Sequence, residues 1–220
     1  MSDFREFPKI ARLYKGNIVI TEKIDGTNGQ VYVVRRDLPD ALVTVAVDAD
    51  SATGTEAATY SVFAGSRSRW LSRGKGDNFA FAHWVAENAY ALATGLGEGR
   101  HFGEWWGRGI QRGYNQASRH FSLFNVGRWF TPGGPGQMLD DDGNLPDPIP
   151  PVPGLSTVPI VYYGPWFGRP ADPVSEAMRR LQYSGSTFDS RTPAEGVMVF
   201  HEASGLYLKA PFDENHKGAG

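Results

Sequence analysis

Thr21-Glu22-Lys23-Ile24-Asp25-Gly26-Thr27-Asn28 is the stretch on which the reading of this chain turns. The residues before it, Gly16-Asn17-Ile18-Val19-Ile20, carry a β-branched run that predicts a strand, so Lys23 stands at a strand end. A lysine amine held in apolar surroundings near other cations sheds its proton more readily and becomes a nucleophile. Asp25, two positions on, and the glycine after it complete the pattern Lys-x-Asp-Gly. Gly26 lacks a Cβ, which lets backbone or ligand approach closely. Lysine is scarce: the others are Lys9, Lys15, Lys75, Lys209 and Lys217, so one at a motif position carries weight.

Outward from this stretch, β-branched runs at 18–20, 30–34 and 41–47 predict antiparallel strands, and 48–59 is small and polar, a predicted loop. Phe81, Trp84, Val85, Ala89 and Leu92 recur at helical spacing and predict a helix over 78–94, with Asp77 or Asn78 capping its start and Gly95 ending it. Buried strands are expected at 101–106 and 121–126. Residues 131–173 hold 11 of the 15 prolines, which excludes helix or central strand for most of that insertion. Asp172-Pro173 is a good helix start, followed by an apolar stripe of Val174, Ala177, Met178 and Leu181. A hairpin is expected from 196–201 and 205–209, and the polar tail 213–220 is expected to fray.

The 220 residues, 40% hydrophobic and 13% aromatic, suit one domain over 1–220. No cysteine means no disulfide and no thiolate metal site. The N-terminal Met1-Ser2-Asp3-Phe4-Arg5-Glu6 is unlike a signal peptide, and no apolar run reaches the roughly 18 residues of a membrane span, so a cytoplasmic protein is expected. A net charge of -2 does not mark a nucleic-acid binder, but a local strip is compatible with it. Arg67, Arg69 and Arg73, with Trp70 interleaved, are candidates for a strip that tracks a polynucleotide backbone.

Three further segments follow the lysine motif in order: Phe102-Gly103-Glu104-Trp105-Trp106-Gly107, Ala194-Glu195-Gly196-Val197-Met198 and Leu208-Lys209-Ala210. A carboxylate can hold a divalent cation by its oxygens, and a cation beside a pentavalent phosphorus offsets the charge that builds there. Glu195 and Lys209, on the predicted hairpin, can line one groove. Together with Lys-x-Asp-Gly, these segments resemble the ordered motifs of the covalent nucleotidyltransferases. Glu-Lys-x-Asp-Gly-Thr-Asn, Gly-Glu-Trp-Trp-Gly and the later Phe-Ser-Leu-Phe-Asn resemble in particular the ATP-dependent RNA ligase family related to the nick-sealing phage RNA ligases.

That resemblance implies an α+β fold: an antiparallel β-rich, ATP-grasp-like ligase adenylation (nucleotidyltransferase) domain with a few flanking helices. It implies ATP as AMP donor, Mg2+ or Mn2+ as metal, and RNA ends bearing a 5'-phosphate and a 3'-OH as partners. By position, Lys23 resembles the residue that takes AMP, and Glu22 falls where the family contacts the adenine edge. Asn28 matches an asparagine important for sealing, and Arg67 an arginine near the phosphates or the 3'-OH end. Glu104 resembles the glutamate that bonds the ribose, Glu195 the metal ligand, and Lys209 the lysine on the α-phosphate. Phe124 is placed for stacking on adenine, with Phe121 as the competing candidate. Two departures stand out. Pro211 occupies the second lysine of a Lys-x-Lys motif, so either Lys209 suffices or Lys217 or Arg69 substitutes; and no C-terminal OB-fold is expected, so a partner protein is a candidate for the nucleic-acid clamp. The alternatives are a minimal ATP-dependent DNA ligase and a catalytically inactive nucleic-acid-binding module; a capping enzyme is disfavoured because Asn28 replaces its arginine.

Overall fold

In the computed structural model, which describes residues 16–49, 56–134, 136, 138–139, 142–167 and 171–212, the chain changes sheets at the lysine motif. Strand β1 (Asn17–Glu22) leads through Lys23-Ile24-Asp25-Gly26 into β2 (Thr27–Val34), and the two strands lie in different sheets. Next come β3 (Val43–Val47), β4 (Ala58–Gly65), helices α1 (Phe81–Glu87) and α2 (Ala89–Leu96), and β5 (Gly99–Gly107). After β6 (Arg119–Leu123) the short strands β7 (Trp129–Phe130), β8 (Asp147–Pro148), β9 (Leu155–Thr157) and β10 (Ile160–Pro165) precede α3 (Pro173–Ser184) and the hairpin β11 (Gly196–His201)–β12 (Leu206–Pro211). A six-stranded sheet has the order β3-β4-β2-β5-β6-β9, and a four-stranded sheet the order β10-β1-β11-β12. Pairing is antiparallel throughout except β6 with β9 and β7 with β8, so the fold is α+β as expected, with two short parallel pairs in addition.

Each sheet buries one face under helix. Val31, Val33, Val62, Trp105 and Phe121 of the larger sheet pack against Phe81, Val85, Leu92 and Leu96 of α1 and α2. Ile18, Ile20, Val197 and Val199 of the smaller sheet pack against Ala177 and Leu181 of α3. A third cluster, with Val19, Ile24, Trp106, Tyr114, Val126 and Val158, gathers beside the sheet crossing. Trp105, Trp106 and Trp129 are all core. Among the described residues no helix is long and apolar enough to cross a membrane.

Several boundaries differ from the sequence reading. The helix expected over 78–94 is two helices, broken at Asn88, whose side-chain amide donates to the Trp84 carbonyl. Asp77 does satisfy the start, accepting from the Ala82 and His83 amides, although Ala80 occupies the cap position in left-handed backbone. Gly95 does not end α2; the stop is Gly97, and Gly95 lies against Pro150, where a Cβ would come within 2.3 Å. The loop expected to 59 yields to β4 at Ala58, and the strand expected over 121–126 runs instead over 119–123. In the proline-rich insertion, β9 and β10 form sheet edges, where a missing amide does least damage. Asp172 caps α3 by accepting from the Ser175 amide, with Pro173 in the first turn. The N-terminal residues 1–15 and the tail 213–220, with Lys217, lie outside the described residues.

The two candidate stacking rings are now separated. Phe121 is fully buried against Phe81 and Trp84, whereas Phe124 is 37% exposed and lines a cleft. Phe121→Ala is therefore expected to cost about 3–5 kcal/mol of unfolding free energy and Phe124→Ala less than about 1 kcal/mol, measured by urea denaturation. Equal losses would contradict this placement.

Candidate active site

Where the chain passes between the sheets, a cleft of about 1580 Å³ opens. From the smaller sheet Val19, Thr21, Met198, Phe200, Tyr207 and Lys209 face it; from the larger come Asn28, Phe102 and Glu104. Register sets this arrangement, since Thr21 lies opposite Met198, and Met198 opposite Lys209, across three strands. Likewise Asn28 lies opposite Glu104, and their side chains hydrogen-bond at 3.3 Å. The eight residues matched by position to the family's motifs, Glu22, Lys23, Asn28, Arg67, Glu104, Phe124, Glu195 and Lys209, line this one cleft. Arg69 lines it too, but Arg73 does not, and the Trp70 ring rests on Tyr32 and Phe63.

The crossing itself is tightly held. The Glu22 amide donates to the Pro159 carbonyl and the Lys23 amide to the Gly196 carbonyl. Gly26 is required by contact: a Cβ there would meet the Trp105 carbonyl oxygen at 2.6 Å and Trp106 Cβ at 2.9 Å. The Lys23 ammonium is paired with Glu195 Oε1, while Glu195 Oε2 is buried with no hydrogen-bond partner among the described residues. Glu22 is 1% exposed; its Oε2 accepts from the Thr187 amide at 2.8 Å, and its Oε1 is likewise without a partner.

Sequence reasoning missed the segment after β5, which braces the motif. Arg112 Nε binds Asp25 Oδ2 at 3.0 Å, and its Nη1 donates to the carbonyls of Pro193 at 2.8 Å and Ala194 at 3.3 Å. One guanidinium thus ties the residue two after Lys23 to the residue just before Glu195. The Asp25 amide donates to Tyr114 Oη at 2.6 Å. Gln111, Tyr114 and Asn115 adopt left-handed backbone, with φ of 42°, 46° and 51°, an arrangement that costs energy and needs surrounding structure to hold it. Buried Ile110 and Tyr114 supply that hold. The only signal in the sequence is the glycine spacing at Gly107, Gly109 and Gly113, all at positive φ.

Charge in the cleft is unbalanced. Burial pushes the Glu104 carboxyl up from about 4.5 to about 8; Lys23 pulls the other way, Glu195 and Asp25 reinforce the rise, and a hydrogen bond from the Gly26 backbone opposes it. Burial likewise raises the Tyr114 phenol, which stays protonated at any physiological pH. Among the described residues no three His, Asp or Glu side chains gather into a ready-made metal cage.

A family model described as RNA ligase matches residues 16–209. The chain belongs to the RNA ligase family. No curated protein sequence matches it significantly. Among solved structures, a mutant RNA ligase from Naegleria gruberi in the apo form superposes with a TM-score of 0.51 at 16% identity, covering 89% of this chain and 49% of that one. A second mutant of the Naegleria gruberi enzyme, with ATP and Mn, gives 0.51 at 15% identity over 89% and 50%. A third, with AMP and Mn, gives 0.51 at 15% over 90% and 50%. This is a likeness of fold, and the chain spans about half the length of the proteins it matches.

For this RNA ligase family member the Glu104 environment has a pH signature. Below about pH 4.5 the carboxyl is protonated in both folded and unfolded chains; between there and about pH 8 only the folded chain keeps its proton, so stability falls as pH rises. Relative to Glu104→Gln, the wild type is expected to lose stability across about pH 5 to 8, as read from urea midpoints. Parallel profiles would show that Glu104 titrates normally.

Proposed function

We propose that this chain catalyses ATP-dependent RNA ligation through a covalent lysyl-AMP. The observation that carries this is the convergence of Lys23, Glu104, Glu195 and Lys209, from four separate segments, on one cleft in a chain of the RNA ligase family. Lys23 Nζ, once its ammonium proton has passed to solvent, attacks the α-phosphorus of ATP; a P–N bond forms, the bond to the β-phosphate oxygen breaks, and pyrophosphate leaves. An oxygen of an RNA 5'-phosphate then attacks the AMP phosphorus, and the P–N bond breaks. A 3'-OH finally attacks the activated 5'-phosphate, closing the phosphodiester and expelling AMP.

The side chains support these roles by their surroundings. Glu22 offers a buried carboxylate oxygen with no partner among the described residues, suited to the exocyclic amine of adenine. Phe124 presents a partly exposed ring for stacking. Glu104 takes a ribose hydroxyl in this reading, and its proton at neutral pH lets it donate as well as accept. Lys209, with Arg67, supplies positive charge for the phosphates. Asn28 is held by Glu104 for the sealing step.

The residues present fit a divalent cation. Glu195 keeps one buried oxygen without a partner among the described residues, and a lone carboxylate completed by phosphate oxygens and water is the coordination magnesium favours. Such a cation, Mg2+ or Mn2+, offsets charge on the phosphates.

Incubation with ATP and magnesium is expected to add one AMP to the wild type, about 329 Da by intact mass, and nothing to Lys23→Ala. An adduct on Lys23→Ala would overturn the assignment of the nucleophile. Arg112→Ala is expected to slow adduct formation by about tenfold or more, because small displacements of reacting groups are costly, with partial recovery in Arg112→Lys. Wild-type rates in single-turnover labelling of Arg112→Ala would show that the brace is dispensable.

A further inference from the structure

The cleft is larger than one nucleotide requires: sites that enclose a drug-sized ligand measure about 300–1,000 Å³, against about 1580 Å³ here. Part of its lining has no role in the nucleotide chemistry above. Along β5, Arg100, Phe102 and Glu104 share the face turned away from α1 and α2, while His101, Gly103 and Trp105 between them are buried. This row therefore leads from the reacting end of the cleft outward.

Three features of the row point to a ligand. Phe102 is 52% exposed and Trp70 45%, two large rings open to water on one side of the sheet. Trp70 is nonetheless fixed: it stacks on Tyr32 with centroids 6.0 Å apart, and the Arg100 guanidinium lies 4.0 Å over Tyr32 and 5.4 Å from Trp70. Arg69 and Arg100, both lining the cleft, are steadied by neutral acceptors, the Gly76 carbonyl and Gln30 Oε1. Neither forms an ion pair with a carboxylate among the described residues. Held cations without counter-charges, beside exposed rings, match the needs of a polyanion whose bases are free to stack.

The exposed rings favour a single strand over a duplex, because an aromatic face takes an unstacked base, whereas the bases of a duplex are already stacked and paired.

We propose that this outer sheet face binds a single-stranded RNA segment, with bases on Phe102 and Trp70 and phosphates on Arg69 and Arg100, and leads its end toward Lys23. The proposal rests on the ligase reading and names the form of its substrate.

Fluorescence anisotropy tests it, with a labelled 12-nucleotide RNA, single-stranded or in a blunt duplex of the same sequence, titrated without ATP across a salt series. The single strand is expected to bind more tightly. Arg100→Ala should reduce the slope of log K against log salt by about 0.7, the value for one phosphate contact on a single strand, and Arg100→Lys should restore it. Phe102→Ala should weaken binding by about fivefold or more with the slope unchanged, and Phe102→Leu should recover little, because a ring is needed. Duplex binding as tight as single-strand binding, or wild-type affinity and slope in both alanine variants, would overturn the proposal. Intact mass after ATP keeps the two readings apart. A chain that takes AMP but prefers duplex defeats this proposal alone, whereas one that prefers single strands and never takes AMP defeats the ligase reading.

Discussion

Everything at this site depends on four residues having to carry the chain from one sheet to another. Glu22 is the last residue of a strand in the smaller sheet and Thr27 the first of a strand in the larger, so Lys23 to Gly26 have no freedom to wander. Their ends are pinned by backbone hydrogen bonds to Pro159 and Gly196, and Gly26 is pressed against Trp105 and Trp106. A side chain on this crossing faces the space between the sheets. The lysine is therefore delivered to the floor of the cleft by strand geometry, with no need for a mobile loop to carry it.

Electrostatics then explains why the site is poised. Glu22, Asp25, Glu104 and Glu195 share a small volume with two cations, Lys23 and Arg112. Burying more negative than positive charge is costly. The protein offsets the excess partly by keeping Glu104 protonated and partly by pairing Asp25 with Arg112. The remaining oxygens of Glu22 and Glu195 are acceptors without a partner among the described residues, and a ligand that brings an amine or a cation relieves the imbalance. Strain in the brace after β5 belongs to the same balance, since Gln111, Tyr114 and Asn115 hold unfavourable backbone in order to present Arg112 and the Tyr114 hydroxyl to Asp25.

Legibility in the sequence followed the range of the interactions. Strands β1, β2, β11 and β12 and helix α3 were readable because alternation, turn residues and the Asp172-Pro173 cap act over a few residues. The break at Asn88 was not, because the run around it has helical spacing and the interruption is a side-chain bond to Trp84. Nor was the true end of α2, where Gly95 serves as a contact surface for Pro150, 55 positions on, rather than as a stop. Phe121 and Phe124 look alike in sequence, three residues apart on an expected strand; β6 ends at Leu123, which puts one ring under the helices and the other in the cleft.

By itself the sequence determined the chemical inventory: a lysine at a strand end, two glutamates and a second lysine in a fixed order, and an α+β framework to carry them. These are set by residue type and short-range pattern, which survive without knowledge of neighbours. Only the tertiary structure decided that Lys23 rests on Glu195, that Glu104 keeps its proton to about pH 8, and that Arg112 joins the segments bearing both ends of the ion pair. Those outcomes depend on burial and on contacts between residues 81 to 172 positions apart, set by sheet packing rather than by local pattern.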